Sequence, residues 1–236
     1  MVNKIIIAHR GASKLARENT LEAFQKAIDL GADMIEFDIR QTKDGHIIVL
    51  HDPKIGNLSV KKAGYKELER QANARGFHLP TLNETLALAQ NKIKLDIEFK
   101  ESGFEEVALG EILRYFKPRD FIVSSFKESV LKKIKKLNPE VRLALIIGGY
   151  SLAEYRKIVK QMLLGKRLMR DYYGMVVPWQ LYKLKIFQIQ KYFNKKLYVY
   201  TADGAGLIKK LINSPRVSGI ITNRPDLALK LRNGNN

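Results

Sequence analysis

Four short stretches hold residues whose types and spacing suit chemistry: His9-Arg10, Glu36-x-Asp38, His51-Asp52 and Glu98-x-Lys100. Residues two apart on a strand project to the same face. Glu36 and Asp38 therefore lie side by side, with Ile35, Phe37 and Ile39 on the opposite face. The alternation repeats in Asp96, Glu98 and Lys100 against Leu95, Ile97 and Phe99. Neighbouring carboxylates repel unless a cation, a proton or an arginine lies between them. Glu36, Asp38 and Glu98 converging at one place would make a hard-oxygen site for Mg²⁺ or Ca²⁺. A purely structural network with Arg40, Lys94 and Lys100 is the alternative for the same residues.

The chain has four histidines, and two of them, His9 and His51, end apolar runs beside these carboxylates. Paired imidazoles suit acid–base work near neutral pH, one taking a proton and the other giving it to a leaving oxygen. Arg10 offers a planar donor fork for a phosphate. A metal, an arginine, a lysine and two histidines describe phosphoryl-ester chemistry better than sugar or acyl transfer. A serine hydrolase is disfavoured, because no G-x-S-x-G elbow occurs. Glu18 either complements the dipole of a following helix or orients Arg10 or His51. Trp179, in "VVPWQL", follows a predicted strand and either lines the substrate pocket or packs.

The elements that must carry these residues alternate regularly. Strands are predicted over 4–8, 33–39, 46–50, 93–99, 120–125, 141–147, 174–178, 197–201 and 217–222. Helical patterns fall over 19–31, 81–91, 104–116, 127–137, 151–164, 180–193, 204–213 and 225–232. Thr81 with Glu84 has capping-box form, Asn19 with Glu22 resembles one, and Pro225 suits a first helical turn. Repeated βα units without a long linker imply a parallel sheet. Eight such units, with 46–50 as an additional short strand, match a (β/α)₈ TIM barrel treated as one domain over 1–236. A doubly wound sheet would call for G-x-G-x-x-G after the first strand, and "AHRGAS" is not that. In a barrel, the carboxyl ends of the strands carry the chemistry, and the four stretches sit at such ends.

Composition bounds the rest. The 236 residues include no cysteine, which excludes disulfides and thiolate metal sites. The opening "NKIIIAH" is too short an apolar run for a signal peptide, and no stretch approaches the ~18 apolar residues of a membrane span. A cytoplasmic protein is expected. The net charge of +18 is uneven: residues 1–100 hold 16 Lys/Arg and 13 Asp/Glu, the remainder 26 and 11. Such a surface attracts anions, so peripheral contact with an anionic membrane is one expectation. Specific nucleic-acid binding is not expected, because the basic residues follow helix and strand spacing. The oligomeric state is not legible.

The segments "AHRGAS", "ENTLEAF", "GADMIEFDIRQTKDGHIIVLHDP", "LPTLNETL" and "LDIEFK" resemble the glycerophosphodiester phosphodiesterase family, with weaker echoes in "IVSSF", "VYTAD" and "SGIITNRPDLAL". The resemblance implies a TIM barrel that hydrolyses glycerophosphodiesters to glycerol 3-phosphate and an alcohol with one divalent cation. It implies that Glu36, Asp38 and Glu98 hold the metal, that His9 and His51 are the acid–base pair, and that Arg10, Lys100 and Glu18 serve the phosphate. Tyr200 and Asp203 stand where the family often has Trp and Asn, and Asn223 where it often has Asp. The insertion between His51 and "LPTL" is reduced and lacks the usual Arg-Thr-Thr run. A shorter cover could admit lipid substrates, so a lysophospholipase D or sphingomyelinase-D-like activity is the alternative.

Overall fold

Eleven short strands among the described residues, most of them rich in β-branched and aliphatic residues, find backbone partners by lying side by side. In the computed structural model, which describes residues 4–148, 172–182 and 195–234, eight of the strands form a closed parallel ring. In chain order these are β1 (Ile5–His9), β2 (Met34–Gln41), β6 (Lys94–Phe99), β7 (Phe121–Ser125), β8 (Arg142–Ile146), β9 (Gly174–Pro178), β10 (Lys196–Tyr200) and β11 (Gly219–Thr222). Each pairs with the next, and β1 pairs with both β2 and β11, which closes the barrel. The strand β3 (Ile47–Val49) lies outside the ring, antiparallel to the end of β2. A two-stranded ribbon, β4 (Lys54–Ile55) and β5 (Leu58–Ser59), follows it. The (β/α)₈ architecture expected from the alternation is thus the observed one, with one extra strand beside it.

Around the ring lie α1 (Leu21–Asp29), α2 (Tyr65–Asn73), α3 (Leu82–Ala89), α4 (Glu105–Tyr115), α5 (Glu128–Leu137), α6 (Ala205–Ile212) and α7 (Pro225–Arg232). The helix expected over 151–164 lies outside the described residues. So does the one expected over 180–193, beyond residue 182. The helix α2 is absent from the predicted pattern for a physical reason: "YKELERQAN" carries four charged residues and buries only Leu68 and Ala72, too narrow a stripe to stand out. With the β4–β5 ribbon, it makes up the reduced insertion after β2.

Thr81 caps α3 as expected, accepting from Glu84 N while the Glu84 carboxylate accepts from Thr81 N at 2.8 Å. Asn19 does not cap α1. Thr20 does, its hydroxyl accepting from Ala23 N at 3.2 Å, and Asn19 turns inward instead.

Strand alternation sorts the side chains into two layers. Ile35, Phe37 and Ile39 face outward and pack with Phe24, Leu86, Leu95, Ile97 and Phe99 beneath the helices. The Phe24 and Phe37 rings lie 5.6 Å apart, and each buried aromatic contributes roughly 1.5–3 kcal/mol. Ile7, Met34, Ile122, Val176, Tyr198 and Ile221 fill the interior. Gly219 makes room for the Tyr198 ring, since a Cβ there would stand 2.9 Å from it. Above this apolar plug the inward positions of β2 and β6 turn acidic. The register pairs His9 with Glu36, Glu36 with Asp96, and Asp38 with Glu98.

Candidate active site

Each of the four sequence stretches reaches the carboxyl end of the barrel, where they line one cavity of about 850 Å³, within the range of small-ligand sites. His9, Arg10, Glu36, His51, Asp96, Glu98 and Lys100 form one side. Phe126, Ile146, Val176, Tyr200 and Ile221 form much of the other.

The backbone turns sharply where β1 ends. Arg10 adopts φ 56° and Gly11 φ 83°. A Cβ on Gly11 would stand 2.7 Å from the Ala23 backbone, so only glycine lets the chain pass α1 this closely. The left-handed backbone of Arg10 costs about 1–2 kcal/mol. In return its N–H points inward and donates to Glu36 Oε2 at 3.0 Å.

Glu36, Asp38 and Glu98 each offer an oxygen within 4.8 Å of the other two, and all three are buried. Lys100 Nζ lies 2.8 Å from Asp38 Oδ1 and 2.6 Å from Glu98 Oε1, yet neither oxygen receives a well-directed hydrogen bond. Arg10 Nε lies 3.3 Å from Asp38 Oδ2, and its Nη1 donates to both oxygens of Glu18, at 2.9 and 3.1 Å. Glu18 therefore orients Arg10 from the rim. Asn19, which the sequence pattern suggested as a helix cap, donates from Nδ2 to Asp38 Oδ2 at 2.8 Å. Its signal was the triplet Glu18-Asn19-Thr20, in which the cap is one residue further on.

Charge explains what the cluster needs. Burial would raise Asp38, but Lys100 and Arg10 outweigh it and hold the carboxyl down to about 2. Burial and repulsion from Asp38 and Glu98 push Glu36 well above the usual carboxylate range. Burial and Asp38, against Lys100, push Glu98 up to about 7. The protein's own cations thus keep one carboxylate of the three firmly ionised. Three buried carboxylates, of which Asp38 and Glu98 each keep an oxygen without a well-directed hydrogen bond, fit a hard divalent cation, which would add positive charge among them.

His9 is half-buried, and loss of solvent, followed by the charge of Arg10, lowers its pKa below the ordinary 6.5. Its Nδ1 lies 2.7 Å from Asn223 Oδ1, and its Nε2 lies 3.9 Å from Glu36 Oε2. His51 stands at the rim with Nδ1 2.8 Å from Asp52 Oδ1. Arg40 holds its backbone, donating from Nε and Nη2 to His51 O at 2.9 and 2.6 Å, and is itself fixed by Glu101 at 3.3 Å. From sequence alone Arg40 is legible only as a counter-charge to the carboxylates. Trp179 is 43% exposed and is not among the residues lining the cavity. Asp96, opposite Glu36, does line it.

Comparison with known proteins places this geometry. The profile of the glycerophosphoryl diester phosphodiesterase family matches residues 9–227. A glycerophosphodiester phosphodiesterase of Caldanaerobacter subterraneus subsp. tengcongensis is 30% identical over 96% of this chain and 97% of its own. The glycerophosphodiester phosphodiesterase structure from Thermotoga maritima superposes with a TM-score of 0.74 at 27% identity, covering 97% of this chain and 98% of that one. An Oleispira antarctica phosphodiesterase, solved with its product sn-glycerol-3-phosphate, shares the fold at a TM-score of 0.78 and 23% identity, covering 97% and 96%.

Proposed function

The chain belongs to the glycerophosphoryl diester phosphodiesterase family, and from that premise we propose that it cleaves glycerophosphodiesters to sn-glycerol 3-phosphate and an alcohol with the help of one divalent cation, Ca²⁺ or Mg²⁺. It is a phosphoric diester hydrolase. The observation that carries the reading is the set Glu36, Asp38 and Glu98, buried together at one end of the barrel beside His9, Arg10, His51 and Lys100. The product bound to the Oleispira protein supports the substrate class.

In this reading Glu36, Asp38 and Glu98 hold the cation, which when bound supplies Lewis-acid polarisation of an oxygen near phosphorus. Arg10 and Lys100 offer N–H donors to the phosphoryl oxygens, with Glu18 keeping the Arg10 fork in place. His9 takes the proton of the glycerol 2-hydroxyl as that oxygen attacks phosphorus. His51 gives a proton to the departing alcohol. The cyclic phosphate is then opened by water, with the two imidazoles exchanging roles. The depressed pKa of His9 keeps it neutral and ready to accept a proton near pH 7. We place this work in the cytoplasm. No described helix is long and apolar enough to cross a membrane.

The apolar side of the cavity, Phe126, Ile146, Val176 and Ile221, favours a second reading, in which lysophospholipids also enter and the basic second part of the chain rests on anionic lipid. One experiment covers both. Glycerol 3-phosphate and lysophosphatidate release are followed from a panel of short glycerophosphodiesters and lysophospholipids. Each is run with EDTA, after Ca²⁺ or Mg²⁺ is restored, and with His9→Ala. Release of glycerol 3-phosphate that needs both metal and His9 is expected. Activity that persists in EDTA with His9→Ala would overturn the mechanism, and a higher kcat/KM on lysophospholipids would favour the second reading.

A further inference from the structure

We infer that Asp203 and Asn223 are positioning residues that decide which nitrogen of His9 carries the proton. The inference rests on the reading of His9 as the base and adds to it the device that makes the base usable.

Both residues sit just past the carboxyl ends of neighbouring strands, Asp203 after β10 and Asn223 after β11. The Asp203 carboxylate accepts from three donors at the end of β11 and just past it: Asn223 N at 2.8 Å, Asn223 Nδ2 at 2.7 Å and Thr222 Oγ1 at 3.1 Å. An ionised carboxylate only accepts. The NH₂ of the Asn223 amide must therefore face Asp203, and the amide cannot turn over without setting its carbonyl oxygen against the carboxylate. The carbonyl is thereby aimed at His9, with Oδ1 2.7 Å from Nδ1. A carbonyl oxygen also only accepts, so the proton of the neutral imidazole must sit on Nδ1.

The consequence falls on the other nitrogen. Nε2 keeps its lone pair, and its neighbour Glu36 Oε2 is 3.9 Å away, beyond hydrogen-bond reach. Ser13 steadies the arrangement, its hydroxyl lying 2.8 Å from both His9 O and Asn223 Oδ1. The order is strict: acceptor at 203, donor and acceptor at 223, donor at Nδ1, lone pair at Nε2. Without the carboxylate the amide is free to turn. Its NH₂ would then face Nδ1 and draw the proton onto Nε2, where the base needs none.

The test reads the tautomer directly, by two-bond ¹H–¹⁵N correlation on histidine-labelled, metal-loaded protein at pH 8, with the His9 signal assigned by its loss in His9→Ala. The unaltered protein is expected to show the Nδ1–H form. Asp203→Ala is expected to populate the Nε2–H form and to lower kcat on a short glycerophosphodiester on the order of 10²-fold with KM unchanged. Asn223→Asp alone sets two carboxylates face to face and should also lose activity. The double exchange Asp203→Asn with Asn223→Asp reverses the bond between the two side chains, the amide at 203 donating to the carboxylate at 223, but again leaves only an acceptor facing His9 Nδ1, and should recover both the tautomer and most of the lost kcat.

An Nε2–H form in the unaltered protein, which requires no variant to fold, would overturn the inference. So would an Nδ1–H form that persists in folded Asp203→Ala, or a double exchange no better than its single components. A tautomer that shifts as expected while kcat stays the same would uphold the positioning role and overturn the reading of His9 as the base.

Discussion

Asp96 offers a sharp quantitative test of the electrostatics inside the barrel. It lies on β6 opposite Glu36 in the strand register, is 1% exposed, and has one oxygen, Oδ1, without a hydrogen-bond partner. Burial, reinforced by Asp38 and only partly offset by a hydrogen bond from Ser124, raises its pKa from 3.8 to about 7. An acid whose folded pKa exceeds its unfolded value holds its proton longer in the folded state, so stability falls as pH rises through the interval between the two. The interval spans about three pKa units, each worth about 1.4 kcal/mol. The side chain should therefore cost about 4 kcal/mol above pH 7 and almost nothing at pH 4.

Asp96→Asn keeps the size and the capacity to bond Ser124 but cannot ionise. Its stability advantage over the unaltered protein should grow by about 1.4 kcal/mol per pH unit from pH 4 to 7 and then level off. For a chain of this length that is a rise in thermal midpoint of roughly 8–16 °C at pH 8. The assay is thermal denaturation of both proteins in EDTA from pH 4.5 to 8.5. An equal difference at pH 5 and pH 8, or an asparagine variant that is the less stable at pH 8, would refute the reasoning. Asp96 would then be ionised and compensated in the folded barrel.

Three further outcomes are expected. Gly11→Ala should cost more than about 2 kcal/mol in chemical denaturation, since its φ of +83° and a Cβ 2.7 Å from the Ala23 backbone combine strain and overlap. Arg40→Ala should lower kcat by on the order of 10- to 10²-fold in steady-state assays by releasing the backbone of His51. Arg40→Lys should not restore it, because one ammonium cannot reproduce two guanidinium bonds that converge on His51 O. The base must be unprotonated, and burial and Arg10 lower the pKa of His9. The acid limb of the kcat/KM profile should accordingly lie below pH 6.5, and a limb above 6.5 that disappears in His9→Ala would count against this.

The ring of strands was legible because buried strands announce themselves by β-branched runs, and the site because its residues end those runs. The alternation of Glu36 and Asp38 with Ile35, Phe37 and Ile39 is a local property, and it set both faces of β2 correctly. What the sequence hid was non-local. Asn19 resembled a helix cap because capping is a short-range pattern, whereas its bond to Asp38 spans 19 residues. Asp203 and Asn223 read as two separate departures from a family pattern and are, in the fold, one hydrogen-bonded pair. Arg40 could be placed on a strand, but not onto the carbonyl of His51. The helix α2 was hidden for a different reason, its apolar stripe being only two residues wide.

The pairing of β1 with β11 has a consequence for how the protein comes into being. His9 ends the first strand of the ring, and its hydrogen-bond partner lies 214 positions later in the chain. Until β11 is made, β1 has an open edge on one side, a place where a nascent chain can join to a wrong neighbour. The carboxylates of β2 and β6 are made well before β11. The contact between His9 and Asn223 therefore forms only once β11 has joined β1 and the ring has closed.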